Sequence, residues 1–269
     1  MANAGDDDEL ADAYNTALAL EKAGDHEAAA RAYVRVLELD PEDHGGAAVR
    51  LASMGKGAVP DRVSEAYVET LFDQHADAFE DILVDQLGYH VPLTLRAALG
   101  EHAAGPYARL LDLGCGTGLA GVALTDITHH RTGIDLSSRM VDIAGETDLY
   151  DELYVGDVVA FVQEIEDEAP WDLIVATDVL PYLGGVEELF AGVRRVSAPG
   201  AVFAFSTELL EGDDKTFTVG PHQRFHHAVA YLRRELDAAG FELVHVQDIT
   251  VRHEEGEPQP GHLIVAKVR

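Results

Sequence analysis

Apolar residues recur at helical spacing along the first hundred residues of the chain. Two amphipathic patterns, over residues 11–23 and 27–39, are separated by Gly24 and Asp25 and predict two short helices joined by a tight turn. A shorter pattern over residues 46–54 predicts a partial third helix. Because a single helical hairpin cannot bury its own apolar face, we expect this region to pack on the rest of the chain or on a partner.

After residue 107 the pattern changes to short apolar runs that alternate with helical stretches. This alternation is typical of an α/β domain with a parallel sheet. The last two runs are joined by an acidic, proline-containing stretch, residues 254–261, and predict an antiparallel hairpin that closes the sheet. The predicted strands are 108–113, 131–135, 151–155, 171–177, 200–206, 242–246 and 262–268, and the helices between them include 138–144 and 186–196.

These patterns divide the chain into four regions. Residues 1–9 end in a run of acids and predict a disordered leader, and residues 10–59 form the helical region. Residues 60–106 contain helices that lead into the sheet, and residues 107–269 form the α/β domain. A chain of 269 residues is long enough for one such domain with a small addition.

A glycine-rich turn follows the first predicted strand. Gly114, Gly116 and Gly118 lack a Cβ atom, so their backbone can adopt positive φ and lie directly against a ligand at the start of the next helix. Asp112 is the polar exception in the apolar run before them, and Asp135 ends the next strand at the separation expected of a carboxylate that binds ribose hydroxyls. The turn lacks the spacing of phosphate-binding and dinucleotide-binding loops, which disfavours a pyrophosphate ligand. The alternative is a corner that needs small residues for packing.

Residues 112–118 and 133–137 resemble the first two motifs of class I S-adenosylmethionine-dependent methyltransferases. The resemblance implies a Rossmann-like, seven-stranded sheet whose last strand is antiparallel, with S-adenosylmethionine as the cofactor. It also implies that Asp112 and the glycine turn hold the methionine part and that Asp135 binds the ribose hydroxyls. Residues 154–158 resemble the third motif, whose acid binds the adenine amine, and residues 171–178 the fourth. The implied cofactor residues are Asp112, Gly114, Cys115, Gly116, Gly118, Asp135, Leu136, Met140, Asp157, Val158 and Thr177; for Met140, ordinary packing is an equal alternative.

Residues 71–79 resemble a segment that precedes the first motif in many small-molecule methyltransferases and folds over the cofactor as a lid. The resemblance makes Tyr67, Phe72 and Phe79 candidates for closing the pocket against water. Spacing alone predicts only a helix that faces the core.

The N-terminal helices resemble one tetratricopeptide repeat, and the whole arrangement resembles a bacterial group of tetratricopeptide-repeat-containing methyltransferases. A repeat of this kind is either a structural cap or a docking surface for a peptide, a protein partner or a second copy of the chain. The residues that carry the resemblance are Tyr14, Gly24, Ala29, Tyr33, Leu37 and Pro41.

Three residues are candidates for the chemistry of transfer. His227 matches a histidine of that bacterial group and is a candidate general base or substrate anchor, although a histidine that opens a helix is also an ordinary cap. Asp178 and Tyr182 follow the fourth predicted strand, where open α/β sheets bind their ligands. The Asn/Asp-Pro-Pro-Tyr/Phe signature of enzymes that methylate bases or glutamine is absent from residues 177–182. We expect no metal site, because adjacent histidines point apart on a helix.

The amino-acid composition limits the kinds of partner that the chain can bind. The chain carries 49 acidic and 19 basic residues, a net charge of -30, which repels nucleic acid and anionic lipid. This acid excess suits either a salt-loving host or an ordinary acidic bacterial protein. Cys115 is the single cysteine, so neither an internal disulfide nor a cysteine zinc site can form. No apolar run approaches the length of about 20 residues that spans a bilayer, and we expect a cytoplasmic protein.

The sequence thus predicts methyl transfer from S-adenosylmethionine to an oxygen or nitrogen atom of a small-molecule acceptor. One alternative is a protein methyltransferase whose repeat docks the target. Another is a non-catalytic scaffold that binds the cofactor without turning it over.

Overall fold

The computed structural model describes residues 4–79, 83, 86–166, 169–212 and 214–269. Five helices precede the sheet, and within the described residues no helix has both the length and the apolar character to cross a membrane. They are α1 (Ala4–Lys22), α2 (His26–Leu39), α3 (Ala47–Ser53), α4 (Glu65–His75), which continues as a 3-10 turn (Ala76–Ala78), and α5 (Val91–His102).

Helices α1 and α2 form the predicted hairpin. Gly24 takes a φ of 77° in the turn, and the Asp25 side chain accepts a hydrogen bond from the Ala28 amide at 3.0 Å, which caps α2. Helix α1 begins at Ala4, so the prediction of a disordered leader over residues 1–9 is wrong from that residue onward. A run of acids is compatible with a helix N-terminus, where the macrodipole favours negative charge. Residues 1–3 lie outside the described part of the chain.

Helix α3 joins the hairpin to the rest of the chain. Val49 and Ala52 on α3 are buried in one apolar cluster with Val63 and with two residues beyond the sheet's fifth strand, Val219 and Phe225. The apolar face of the N-terminal helices is therefore covered at α3 by the chain itself. The tetratricopeptide assignment stays a prediction.

Among its described residues, the α/β part contains nine strands and five more helices. The strands are β1 (Tyr107–Leu113), β2 (Thr128–Asp135), β3 (Glu152–Val155), β4 (Trp171–Ala176), β5 (Ser197–Leu209), β6 (Phe217–Val219), β7 (Phe225–His227), β8 (Phe241–Glu254) and β9 (Glu257–Val268). The helices are α6 (Leu119–Leu124), α7 (Ser138–Glu146), α8 (Val158–Glu164), α9 (Glu187–Val196) and α10 (Val229–Ala238).

Seven of the strands form the predicted arrangement. Strands β3, β2, β1, β4 and β5 pair in parallel in that order, β9 pairs antiparallel with β5, and β8 pairs antiparallel with β9. The sheet nevertheless has nine strands, not seven, because the hairpin of β6 and β7 joins the end of β5 through the pair Glu208 and His226. Strands of three residues are too short to show an alternating pattern, which is why the sequence did not predict them.

The closing hairpin is longer than predicted. Strand β8 runs to Glu254 and β9 begins at Glu257, and the two residues between them, Glu255 and Gly256, have φ values of 52° and 84°. Two consecutive residues with positive φ are typical of the tight turns that join antiparallel strands. The prolines of this stretch suggested a loop, whereas Pro258 and Pro260 lie within β9.

Apolar side chains cover both faces of the sheet. Leu111 of β1 is buried in the cluster that contains Phe190 of α9, and Leu110 is buried on the opposite side with Leu95 and Leu99 of α5. Strand β1 is thus fixed between two helical layers, and its carboxyl end carries the glycine turn.

Candidate active site

A cavity lies at the carboxyl ends of β1, β2 and β4, where ligands of open α/β sheets bind. Its wall contains twelve of the seventeen residues predicted for the site: Phe72, Phe79, Gly114, Cys115, Gly116, Asp135, Leu136, Asp157, Val158, Thr177, Asp178 and Tyr182. The other five, Tyr67, Asp112, Gly118, Met140 and His227, do not line it.

The glycine turn brings the backbone to the cavity. Gly114, Gly116 and Gly118 have φ values of 68°, 54° and 103°, in the region that residues with a side chain rarely adopt. A Cβ atom on Gly116 would have the Phe79 ring as its nearest neighbour, at 3.8 Å, whereas one on Gly114 would lie 2.5 Å from Val179. Gly116 therefore presents open backbone to the cavity, and Gly114 allows close packing behind it.

Asp135 is held by the backbone around it. Its Oδ2 accepts a hydrogen bond from the Gly116 amide and its Oδ1 from the Ser137 amide, both at 2.9 Å. Burial raises the pKa of this carboxyl, and the two amide hydrogen bonds act in the opposite direction. Because each carboxylate oxygen has a further lone pair, Asp135 can also accept hydrogen bonds from a ligand in the cavity.

Asp112 lies behind the glycine turn. It is fully buried, and burial raises its pKa to about 7 although the hydroxyl of Tyr150 donates a hydrogen bond to Oδ2 at 2.5 Å. Oδ1 has no hydrogen-bond partner among the described residues. The same Tyr150 hydroxyl accepts from the Gly121 amide at 3.2 Å, so Tyr150 links the strand to helix α6. Sequence reasoning missed Tyr150, which carries no motif signal.

Residues 154–158, which resemble the third motif, lead into helix α8. Asp157 caps this helix through a 2.9 Å hydrogen bond from the Ala160 amide to Oδ1, and it lines the cavity beside Val158 and Leu136. Met140, by contrast, is fully buried in α7 and does not reach the cavity wall, which agrees with the packing alternative.

Aromatic rings form part of the cavity wall, and the Phe79 ring lies beside the glycine turn. Phe72 lies edge-on to both Phe79 and Tyr182, with ring centroids 5.9 and 5.5 Å apart. Helix α4, which carries Phe72, is tied to the second motif by a 2.5 Å hydrogen bond from the Ser137 hydroxyl to Asp73. Tyr67 on the same helix instead packs against Gly46, where an added Cβ atom would lie 3.0 Å from its ring. Tyr67 therefore joins α4 to the N-terminal helices and does not close the cavity.

A buried ion network adjoins the cavity at Asp178. The guanidinium of Arg252 is fully buried and contacts Asp178 at 3.2 Å, Glu208 at 2.5 Å and Glu254 at 2.6 Å. Arg224 contacts Asp178 at 3.5 Å and lies over the Tyr182 ring. The Asp178 backbone has a φ of 59° and its amide donates to the Ser206 hydroxyl, so the carboxylate is fixed from several sides.

The charges of this network lower the pKa of Glu208 and raise the pKa of Arg252. Burial alone would raise the pKa of Glu208, but the adjacent His226 and Arg252 lower it to about 2. Burial opposes the charge of Arg252 as well, yet its three carboxylate partners raise its pKa. Sequence reasoning missed Arg252, which lies beside the apolar Val251 near the end of β8.

His227 lies outside the cavity, and the structure does not give it the predicted role of a base. It is on β7, not at the start of a helix, and it is fully buried. Nε2 faces the Gly184 carbonyl at 3.1 Å and so must donate to it, which leaves Nδ1 to accept from the Thr207 hydroxyl at 2.9 Å. Burial lowers the pKa of His227 to about 4, so the imidazole is neutral at neutral pH. These contacts make His227 a structural residue that ties β7 to β5 and to Gly184.

Cys115 and the other histidines do not form a reactive or metal-binding group. Burial raises the pKa of the Cys115 thiol well above its ordinary value, which keeps it protonated. Among the residues that the structure describes, no cluster of three or more histidine, cysteine, aspartate or glutamate side chains could hold a metal ion.

The comparison with family models decides the assignment. The model described as a methyltransferase domain matches residues 87–246, more than half of the chain and the whole glycine-turn region. The chain belongs to the S-adenosylmethionine-dependent methyltransferases.

The curated relatives of this methyltransferase match it over part of their length. A malonyl-[acyl-carrier protein] O-methyltransferase of Serratia marcescens is 28% identical over 124 residues, which are 44% of this chain and 48% of that protein. A ubiquinone biosynthesis O-methyltransferase of Xylella fastidiosa is 28% identical over 162 residues, 55% of this chain and 62% of that protein. An 18S rRNA (guanine-N(7))-methyltransferase of Arabidopsis thaliana is 43% identical over 49 residues, 18% and 17% of the two chains. The chain thus spans less than two thirds of each.

Solved structures support the methyltransferase fold. A putative methyltransferase of Haloferax volcanii, solved in complex with the activator Trm112, has a TM-score of 0.57 and 19% identity, covering 73% of this chain and 96% of that one. The [4+2]-cyclase SpnF has a TM-score of 0.53 and 19% identity, covering 65% and 80%. At such identity the likeness concerns the fold alone, and a cyclase on this fold shows that fold does not determine the reaction.

The residues of this methyltransferase fit S-adenosylmethionine. The turn at Gly116 offers backbone without a side chain, and Asp135 keeps free lone pairs for hydroxyl groups. The buried Oδ1 of Asp112 lacks a partner among the described residues, as expected of an atom that completes its hydrogen bonding when a ligand or water is bound.

Proposed function

We propose that this methyltransferase transfers the methyl group of S-adenosylmethionine to an oxygen or nitrogen atom of a small-molecule acceptor with apolar character. The observation that carries the proposal is the make-up of the cavity. Its wall combines the glycine turn and Asp135 with aromatic rings and the carboxylate of Asp178. Such a combination suits a polar nucleoside together with an apolar molecule that carries a single polar atom.

Within the proposal, the cofactor lies along the first three motifs. The glycine turn, with Asp112 buried behind it, binds the methionine part, Asp135 binds the ribose hydroxyls, and Asp157 binds the adenine amine. The sulfonium cofactor supplies an activated methyl group, so the protein contributes mainly by positioning the acceptor and excluding water.

Asp178 and Tyr182 act on the acceptor in this account. The ion pairs with Arg224 and Arg252 hold the Asp178 carboxylate in place, so it can accept a hydrogen bond from the hydroxyl or amine of the acceptor. Burial raises the pKa of Tyr182 to about 12, although Arg224 opposes the shift, so its hydroxyl remains a donor at neutral pH. Phe72 and Phe79, which line the cavity, exclude water from it.

The test is a screen for release of S-adenosylhomocysteine with phenols, carboxylic acids, amines and a protein extract as acceptors. We expect turnover with an apolar small molecule, and we expect Asp178→Asn to reduce kcat by at least tenfold with unchanged affinity for S-adenosylhomocysteine. Asp126→Asn is the matched control, because Asp126 also pairs with an arginine, Arg96, outside the cavity. Turnover with the protein extract alone would favour a protein methyltransferase, and cofactor binding without turnover on any class would favour a scaffold.

An RNA acceptor is the second candidate, favoured by the 43% identity to the rRNA methyltransferase over 49 residues. The net charge of -30 opposes it, because binding of RNA phosphates relies on clusters of lysine and arginine. Filter binding of labelled rRNA fragments at low salt distinguishes the two: we expect no binding, and salt-sensitive binding would move the proposal to RNA.

A further inference from the structure

Residues 61–63 form a strap that crosses beside the cavity, outside the residues matched by the family model. The Val63 amide donates to the Tyr182 carbonyl at 2.9 Å, and the Asp61 carbonyl accepts from the amides of Gly184 and Gly185 at 2.7 and 3.0 Å. These hydrogen bonds attach the linker after the N-terminal helices to the loop that follows β4.

The loop is shaped for this contact. A Cβ atom on Gly184 would lie 2.8 Å from the Asp61 carbonyl oxygen and 2.6 Å from the Phe217 ring. The absence of a side chain at Gly184 therefore lets the two backbones approach, with the β6–β7 hairpin behind them.

One side chain of the strap, Arg62, lies in the cavity wall. Arg62 lines the cavity, and its Nη1 lies 3.0 Å from Glu65 and 3.4 Å from Oδ1 of Asp157. Asp157 is itself fixed as the cap of α8. The guanidinium is thus held between two carboxylates at the β3 end of the cavity while 47% of the side chain remains exposed.

We propose that Arg62 is a cofactor-binding residue that contacts the adenine base of S-adenosylmethionine. The inference rests on the proposed function, which assigns the adenine end to Asp157. A planar guanidinium stacks favourably on aromatic rings, and one already held in place by two carboxylates loses little freedom on doing so. The linker of the N-terminal region thereby adds a residue to a site whose glycine turn, Asp135 and Asp157 lie in the α/β domain.

A purely structural ion pair would behave differently. Half-exposed ion pairs contribute little to stability, and removing one should leave the affinity for a ligand unchanged. Arg35 provides the matched comparison, because it is 50% exposed and also pairs with two carboxylates, Glu9 and Glu38, on the N-terminal helices away from the cavity.

The experiment is calorimetric titration of S-adenosylhomocysteine into the full chain and its Arg62→Ala, Arg62→Lys and Arg35→Ala variants. We expect Arg62→Ala to raise Kd about tenfold, Arg62→Lys to raise it by a smaller factor, and Arg35→Ala to leave it unchanged. Thermal unfolding of each variant checks that it is folded.

Titration with a second ligand shows which part of the cofactor Arg62 contacts. 5′-Methylthioadenosine lacks the amino-acid part of the cofactor, so a contact with adenine predicts the same relative loss for both ligands in Arg62→Ala. Wild-type affinity in Arg62→Ala, or a loss with S-adenosylhomocysteine but not with methylthioadenosine, would overturn the inference and leave the proposed function intact. Failure of the wild-type chain to bind either ligand would contradict the proposed function itself, and the inference with it.

Discussion

Replacement of Asp135 by asparagine tests both the hydrogen bonds that this residue makes in the structure and the role proposed for it in cofactor binding. In the folded chain each carboxylate oxygen accepts one backbone amide, from Gly116 and from Ser137. Asparagine keeps one oxygen and turns an NH₂ group toward the other amide, so one buried N–H loses its acceptor. We expect a loss of about 1–3 kcal/mol in the free energy of unfolding.

The same change removes the charged acceptor proposed for the ribose hydroxyls. A hydrogen bond to a charged group contributes about 1.5–3 kcal/mol, so the affinity for S-adenosylhomocysteine should fall by about 2 kcal/mol or more, roughly 30-fold in Kd. Calorimetry at pH 8 measures the affinity, and urea unfolding measures the stability of the same samples.

Asp172 supplies the control for this experiment. Its two oxygens also accept backbone amides, from Ala108 and Arg109 at 2.8 Å, but at the opposite end of the sheet. Asp172→Asn should therefore reduce stability without changing Kd. An Asp135→Asn protein that binds S-adenosylhomocysteine with wild-type affinity would refute the assignment of Asp135 to the ribose.

Two further predictions concern buried groups whose pKa is shifted. The pKa of His227 is about 4 in the folded chain and near 6.5 in the unfolded chain, so its contribution to the free energy of unfolding is complete above pH 6.5 and falls by about 3 kcal/mol toward pH 4. His227→Gln removes this titrating group, and its stability should therefore fall less steeply between pH 6.5 and pH 4 than that of the wild type. Urea unfolding at pH 4.5 and 7 checks this, and parallel profiles for the two proteins would contradict it. Tyr150→Phe removes the hydroxyl that donates to Asp112, whose pKa is about 7, and should destabilise the protein by about 1–3 kcal/mol at pH 8 and by less at pH 6, where the carboxyl is protonated. An equal loss at both pH values would show that the hydrogen bond to the carboxylate is not the cause.

The features that sequence predicted well are those that depend on local chemistry. Residue type and spacing place Gly116 and Asp135 at the carboxyl ends of two neighbouring strands, and both residues line the cavity.

The features that it missed depend on contacts between distant segments. Tyr150 reaches Asp112 across 38 residues and Arg252 reaches Asp178 across 74, and neither pair leaves a periodic trace in the sequence. His227 was misjudged for the same reason: a histidine beside a matching motif gives no sign of whether a short hairpin will bury it. His227 lies on the second strand of that hairpin, where it is buried away from the cavity.

Titration of the wild-type chain with S-adenosylmethionine and S-adenosylhomocysteine, at low and at high salt, measures whether the cavity binds the cofactor. We expect one ligand to bind per chain with micromolar affinity, and we expect Asp172→Asn to retain this affinity and Asp135→Asn to weaken it. Absence of binding at either salt concentration, in a chain whose circular dichroism shows it folded, would contradict the claim that the cavity at the glycine turn is a working cofactor site.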